Sequence, residues 1–81
     1  MTDYHDYKLY YSKTCPFCQR VLRFMSENGI SMELRDTSLP GVRNELEQVG
    51  GKLQVPCLVI GDKAMYESAD IIDYLGSTVA A

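Results

Sequence analysis

The chain has 81 residues, room for one domain and one hydrophobic core. Hydrophobic residues make up 46% and charged residues 23%, ordinary globular proportions that exclude a disordered chain. The net charge of −3 argues against nucleic acid or an anionic membrane as partner, since both select basic patches.

The longest apolar run, residues 55–60, falls far short of the roughly 20 residues of a membrane span. Residues 1–6 are polar and acidic, unlike a secretory leader, so the expected location is cytoplasmic. Three cysteines, Cys15, Cys18 and Cys57, do not make a secreted disulfide framework. In a reducing compartment a close cysteine pair points to redox chemistry or metal binding.

Residues 7–11 (Tyr-Lys-Leu-Tyr-Tyr) read as a strand. Pro16 opens a helix whose apolar stripe is Cys18, Val21, Leu22 and Met25, and Asn28-Gly29 closes it. Ile30, Met32 and Leu34 alternate with Ser31, Glu33 and Arg35, the pattern of a half-buried strand. Thr37 or Ser38 is positioned to cap a second helix with the stripe Leu39, Val42, Leu46 and Val49, stopped by Gly50-Gly51. Residues 55–60 form an apolar strand, Gly61-Asp62 a hairpin turn, and residues 63–66 the returning strand. Ser68 is expected to cap a last helix with Ile71, Ile72 and Leu75 inward and Gly76 after it. The order β-α-β-α-β-β-α predicts an α/β fold with a mixed four-stranded sheet: two parallel strands joined through a helix, then an antiparallel hairpin. The whole chain, 1–81, reads as one domain.

Cys15-Pro16-Phe17-Cys18 falls at the junction of the first strand and first helix. Proline favours the first helical position, which makes Cys15 the N-cap. Its sulfur then faces free backbone N–H groups at the positive end of the helix dipole, and both favour thiolate. Lys13 adds a nearby positive charge. Cys18 lies one turn on, within disulfide reach and on the apolar stripe, so Cys15 is the attacking thiol and Cys18 the resolving one. Zinc requires four ligands, and only Cys57 and His5 remain to supplement the pair, so no metal is expected.

At these residues the chain resembles the glutaredoxins of the dithiol type, over residues 7–75. That resemblance implies a thioredoxin-like fold. It rests on the Cys-Pro-Phe-Cys motif, on Val55-Pro56 before a hairpin, and on an acidic-Ser pair before the last helix. Glutaredoxins commonly carry Thr-Val-Pro and an Asp before the last helix. Here Gln54-Val55-Pro56 and Glu67-Ser68 look more like the N-terminal domain of glutathione transferases, the omega class above all. The combination resembles a glutaredoxin with a transferase-style glutathione pocket.

The resemblance implies a residue-by-residue glutathione site. Ser68 and the adjoining helix N-terminus would take the γ-glutamyl carboxylate, and Glu67 the ammonium. Read without the resemblance, Ser68 is a helix cap and Glu67 a solvated charge. Pro56 would follow a cis bond, and Val55 would offer its backbone to the cysteine of glutathione like an added strand. Gln54 and Lys13 are candidates for the glycine carboxylate. Phe17 is either a lid over the sulfur or a protruding aromatic. Cys57 reads as a small buried hydrophobe.

The implied function is glutathione-dependent thiol–disulfide oxidoreduction by a monomer. Glutathione is co-substrate, disulfide or glutathionylated proteins are substrates, and glutathione reductase is an indirect partner. Two alternatives stay open: a transferase-like or dehydroascorbate-type reductase using the same Cys15, and an iron–sulfur carrier with Cys15 and glutathione as cluster ligands. Pro16 argues against the second, because cluster-binding glutaredoxins usually lack it.

Overall fold

The computed structural model describes residues 3–80. Residues 1, 2 and 81, part of the expected 1–81 domain, lie outside the described residues, as do the first two positions of the polar N-terminal segment. The elements are β1 (Tyr7–Tyr11), α1 (Pro16–Glu27), β2 (Glu33–Asp36), α2 (Val42–Gly50), β3 (Cys57–Ile60), β4 (Lys63–Met65) and α3 (Ser68–Ala80). The sheet order is β2-β1-β3-β4. β1 runs parallel to β2, and the β1–β3 and β3–β4 pairs are antiparallel, as the thioredoxin-like expectation requires.

The period-2 alternation of the two central strands divides the core. Tyr7 and Leu9 of β1 and Leu58 of β3 pack with Val21 and Met25 of α1 and with Ile71 and Leu75 of α3. On the other face, Tyr10, Cys57 and Val59 pack with Val42 and Leu46 of α2. Two helices therefore cover one face and one helix the other.

Several boundaries differ from the sequence pattern, β3 starting at Cys57 rather than Val55 among them. β2 starts at Glu33 rather than Ile30, and Leu34 is 45% exposed. β2 is an edge strand, and of its four residues only Asp36 is buried. α2 starts at Val42, not at a Thr37 or Ser38 cap. The buried Asp36 carboxylate accepts from both the Ser38 N–H (2.9 Å) and its hydroxyl (2.8 Å), which closes a turn and occupies the expected cap. Pro40 and Gly41, the latter at φ 83°, delay the helix by a further turn and leave Leu39 exposed. Val49, the last residue of the expected stripe, is also exposed.

α3 runs past Gly76 to Ala80. Gly76 lies against Phe24 of α1, and the last turn is held by Thr78, whose hydroxyl donates to Leu75 O (2.7 Å) and bonds the Tyr4 hydroxyl (2.8 Å). Tertiary contact thus overrides the glycine stop. At the other end the Ile71 N–H donates to Glu67 O (2.9 Å), which makes Glu67 the cap position and Ser68 the first helical residue, one place earlier than expected. Among the described residues, no helix is long and apolar enough to cross a membrane.

Candidate active site

The loop from β1 to α1 is a tight turn. The Cys15 N–H donates to Ser12 O (3.2 Å), and the Gln19 side chain donates to Lys13 O (3.1 Å). The turn delivers Cys15 to the N-cap of α1 with extended backbone (φ −93°, ψ 115°), and Pro16 opens the helix. Cys15 Sγ accepts the Cys18 N–H at 3.3 Å. The sulfur is therefore set on the free N–H groups at the helix end, where partial positive charge gathers. Cys15 is half-buried, whereas Cys18 is fully buried. Burial first, and then the hydrogen bond with Cys15, push the Cys18 thiol up, so it remains protonated. The pair thus combines an accessible sulfur under electrostatic support with a buried neutral thiol.

The residues before β3 border this pair. The Val55–Pro56 bond is cis, and Pro56 is buried. Val55 O lies 3.9 Å from Cys15 Sγ, so the carbonyl expected to meet the ligand is directed at the thiol itself. Phe17 is 56% exposed beside Cys15. Gln54 and Glu67 are exposed and Ser68 half-buried. Lys13 Nζ lies 3.7 Å from Asp36 Oδ2, so its charge is shared with a carboxylate. Cys57 is fully buried among Tyr10, Val42, Leu46 and Val59, and burial raises its thiol pKa, in keeping with an inert core residue.

The sequence reading missed a cavity of about 140 Å³ lined by Thr37, Arg43, Leu46, Leu53 and Val55. It adjoins the site through Val55, and Arg43 is its cation. Among the described residues Arg43 has no ion pair, unlike Lys13 and Arg35. On a helical wheel Arg43 falls on the solvent side of α2, and no local pattern distinguishes it from a solvated charge.

The far end of this wall is fixed by Tyr66. Its hydroxyl accepts the Lys52 N–H and donates to Lys52 O, both at 3.2 Å. A Cβ on Gly50 would fall 2.0 Å from that oxygen, so any side chain there would force Tyr66 out of place. Among the described residues no group of three or more His, Cys, Asp and Glu could hold a metal ion; His5 instead pairs with Asp3 at 3.2 Å.

A search of curated protein sequences found no match. Among solved structures, glutathione transferase Omega 3C from Trametes versicolor is 25% identical at a TM-score of 0.81, covering 94% of this chain and 33% of that one. Human glutathione S-transferase T1-1 is 29% identical at a TM-score of 0.80, over 93% of this chain and 33% of that one. A glutaredoxin from Archaeoglobus fulgidus is 25% identical at a TM-score of 0.70, covering 88% of this chain and 86% of that one. The chain thus spans about one-third of the length of these two transferases. The sequence signature of the glutathione S-transferase N-terminal domain matches residues 9–81, so the chain belongs to that thioredoxin-fold family.

Proposed function

We propose that this protein is a glutathione-dependent thiol–disulfide oxidoreductase of the glutaredoxin type, acting in the cytoplasm as a monomeric domain. The observation that carries the reading is Cys15 Sγ at the α1 N-terminus, accepting the Cys18 N–H with the buried Cys18 thiol one turn behind it.

The Cys15 thiolate attacks the glutathione sulfur of a mixed disulfide. A Cys15–glutathione disulfide forms, and the protein thiolate leaves and takes up a proton. The thiolate of a second glutathione attacks the glutathione sulfur of that bond, so oxidised glutathione leaves and Cys15 returns as thiolate. On a protein disulfide, Cys15 forms the mixed disulfide and Cys18, once deprotonated, displaces the substrate.

Glutathione is held along the Val55 backbone, with its γ-glutamyl end at Glu67 and Ser68. Its glycine carboxylate is assigned to Arg43 and Gln54. Lys13 is a weaker candidate, because Asp36 already engages it.

The test is reduction of a glutathione mixed disulfide of a small thiol, coupled to glutathione reductase. Cys15→Ser abolishes the activity. Cys18→Ser retains most of it but loses reduction of protein disulfides. Equal loss of both activities in Cys18→Ser overturns the division of labour.

The family match favours one second reading, cysteine-based transferase or dehydroascorbate-reductase chemistry at the same Cys15. Dehydroascorbate reduction at a rate exceeding that on mixed disulfides would select it. Iron–sulfur binding would show as colour in the purified protein.

A further inference from the structure

α2 is anchored by apolar contacts along one ridge. Val42 and Leu46, its two buried residues, are four apart and lie one above the other. A single ridge, with Gly50 against Tyr66 at its C-terminal end, restrains roll of the helix less than contacts on both its flanks would. The N-terminus adds no restraint of its own, since Gly41 makes no side-chain cap.

A clamp across the helix supplies the missing restraint. The Glu45 carboxylate accepts Arg35 Nε at 3.0 Å and Arg35 Nη2 at 2.7 Å, the bidentate geometry that fixes orientation. The buried Tyr10 hydroxyl donates to the same carboxylate, and Glu33 lies 3.7 Å from Arg35 Nη1. At 3.6 residues per turn, Glu45 sits about 100° to one side of Leu46 and Arg43 about 60° to the other. A roll of roughly 20° moves a side-chain tip at a radius of about 5 Å by roughly 2 Å. That displacement is enough to break a hydrogen bond to anything in the cavity between Arg43, Leu46 and Val55.

We infer that Glu45, held by Arg35 and Tyr10, is a positioning residue that fixes the roll of α2 and thereby the affinity of the Arg43–Val55 cavity for the carboxylate end of a glutathionyl ligand. The inference rests on the proposed glutathione site. Glu45 touches no reacting atom. Its carboxylate also holds Arg35 on the sheet side of the helix, which leaves Arg43 as the unpaired cation at the cavity.

The experiment titrates the intact chain calorimetrically with S-methylglutathione, which cannot form a disulfide with Cys15. Glu45→Gln keeps the volume of the side chain but presents an amide N–H₂ to one arm of the guanidinium. It is expected to weaken binding at least fivefold. Cys15 alkylation by iodoacetamide should stay within twofold of the parent. Arg43→Ala should weaken binding comparably, and the double variant should bind no worse than the weaker single, because both changes disable one wall. Tyr10→Phe serves as a second, milder break of the clamp, with a loss of about twofold.

Unchanged affinity in Glu45→Gln and Tyr10→Phe, with the parent binding normally, overturns the inference and leaves the glutathione site standing. Additive losses in the double variant also overturn it, since they describe general loosening. Absence of binding by the parent overturns the glutathione site, and the inference with it.

Discussion

Three helix N-termini border the candidate site, and those of α1 and α2 are built in opposite ways. α1 begins with a local device: Cys15 caps, Pro16 follows, and the sulfur accepts a backbone N–H three residues on. α2 begins with no cap at all, at a left-handed Gly41, and is secured by Arg35 and Tyr10 from the neighbouring strands. The first arrangement is encoded in four consecutive residues. The second needs residues 10, 35 and 45 to meet in space. A chemical group that must be oriented to within a fraction of an ångström is placed by the local device. A wall that shapes a ligand cavity is placed by the distributed one.

The largest effect that can break this contrast is on activity. Cys15→Ser should reduce turnover of a glutathione mixed disulfide to the uncatalysed rate while leaving the urea midpoint nearly unchanged, because only a half-buried sulfur is altered. A large shift in midpoint would mean that the α1 cap is structural rather than chemical.

Next is the packing of α2. Leu46→Ala removes a 1%-exposed side chain and should lower unfolding free energy by about 2–5 kcal/mol in urea titrations. Glu45→Ala should cost less, about 1–3 kcal/mol, chiefly by leaving the buried Tyr10 hydroxyl without its acceptor. A cost for Glu45→Ala above that for Leu46→Ala would reverse the ranking of packing over clamp.

The smallest effect is the acid dependence of stability. Arg35 first, and the Tyr10 hydroxyl second, hold the Glu45 carboxyl below its ordinary value. A lowered folded-state pKa gives stability that is fully present above the unfolded value and is lost as pH falls through the folded one. The melting midpoint should therefore drop less steeply in Glu45→Gln than in the parent below about pH 4.5. Asp36 contributes a slope of the same sign through its Ser38 bonds in both proteins, so only the difference between the two curves reports the clamp. Parallel curves would remove Glu45 from the acid response.

The same contrast explains what could be read in the sequence. The mixed sheet, the element order and the Cys15 cap follow from local pattern: the aromatic-rich run at residues 7–11, Pro16 after Cys15, and a two-residue turn at Gly61-Asp62. The cis bond before Pro56 agrees with what the glutaredoxin resemblance implied. The errors fall where another contact competes with the local pattern. Ser38 has the chemistry of a cap, but Asp36 uses both its donors. Gly76 has the chemistry of a stop, but Tyr4, seventy-four residues away, bonds Thr78 and secures the turn beyond it. Arg43 carries no sequence signal at all, because its position relative to Val55 exists only once α2 has packed.

The pair of hydrogen bonds between the Tyr66 hydroxyl and the Lys52 backbone has a practical consequence for anyone wishing to tag or lengthen the chain. Residues 51–54 are exposed and look as permissive as the β-hairpin tip. They are not equivalent, because Tyr66 ties them to the segment leading into Glu67 and Ser68. Added length at 51–54 would displace the Val55 and Glu67 sides of the cleft together. Added length after Asp62, on the far side of a turn whose Gly61 has open space around it, would leave both in register. A fluorophore or affinity handle belongs at the hairpin tip.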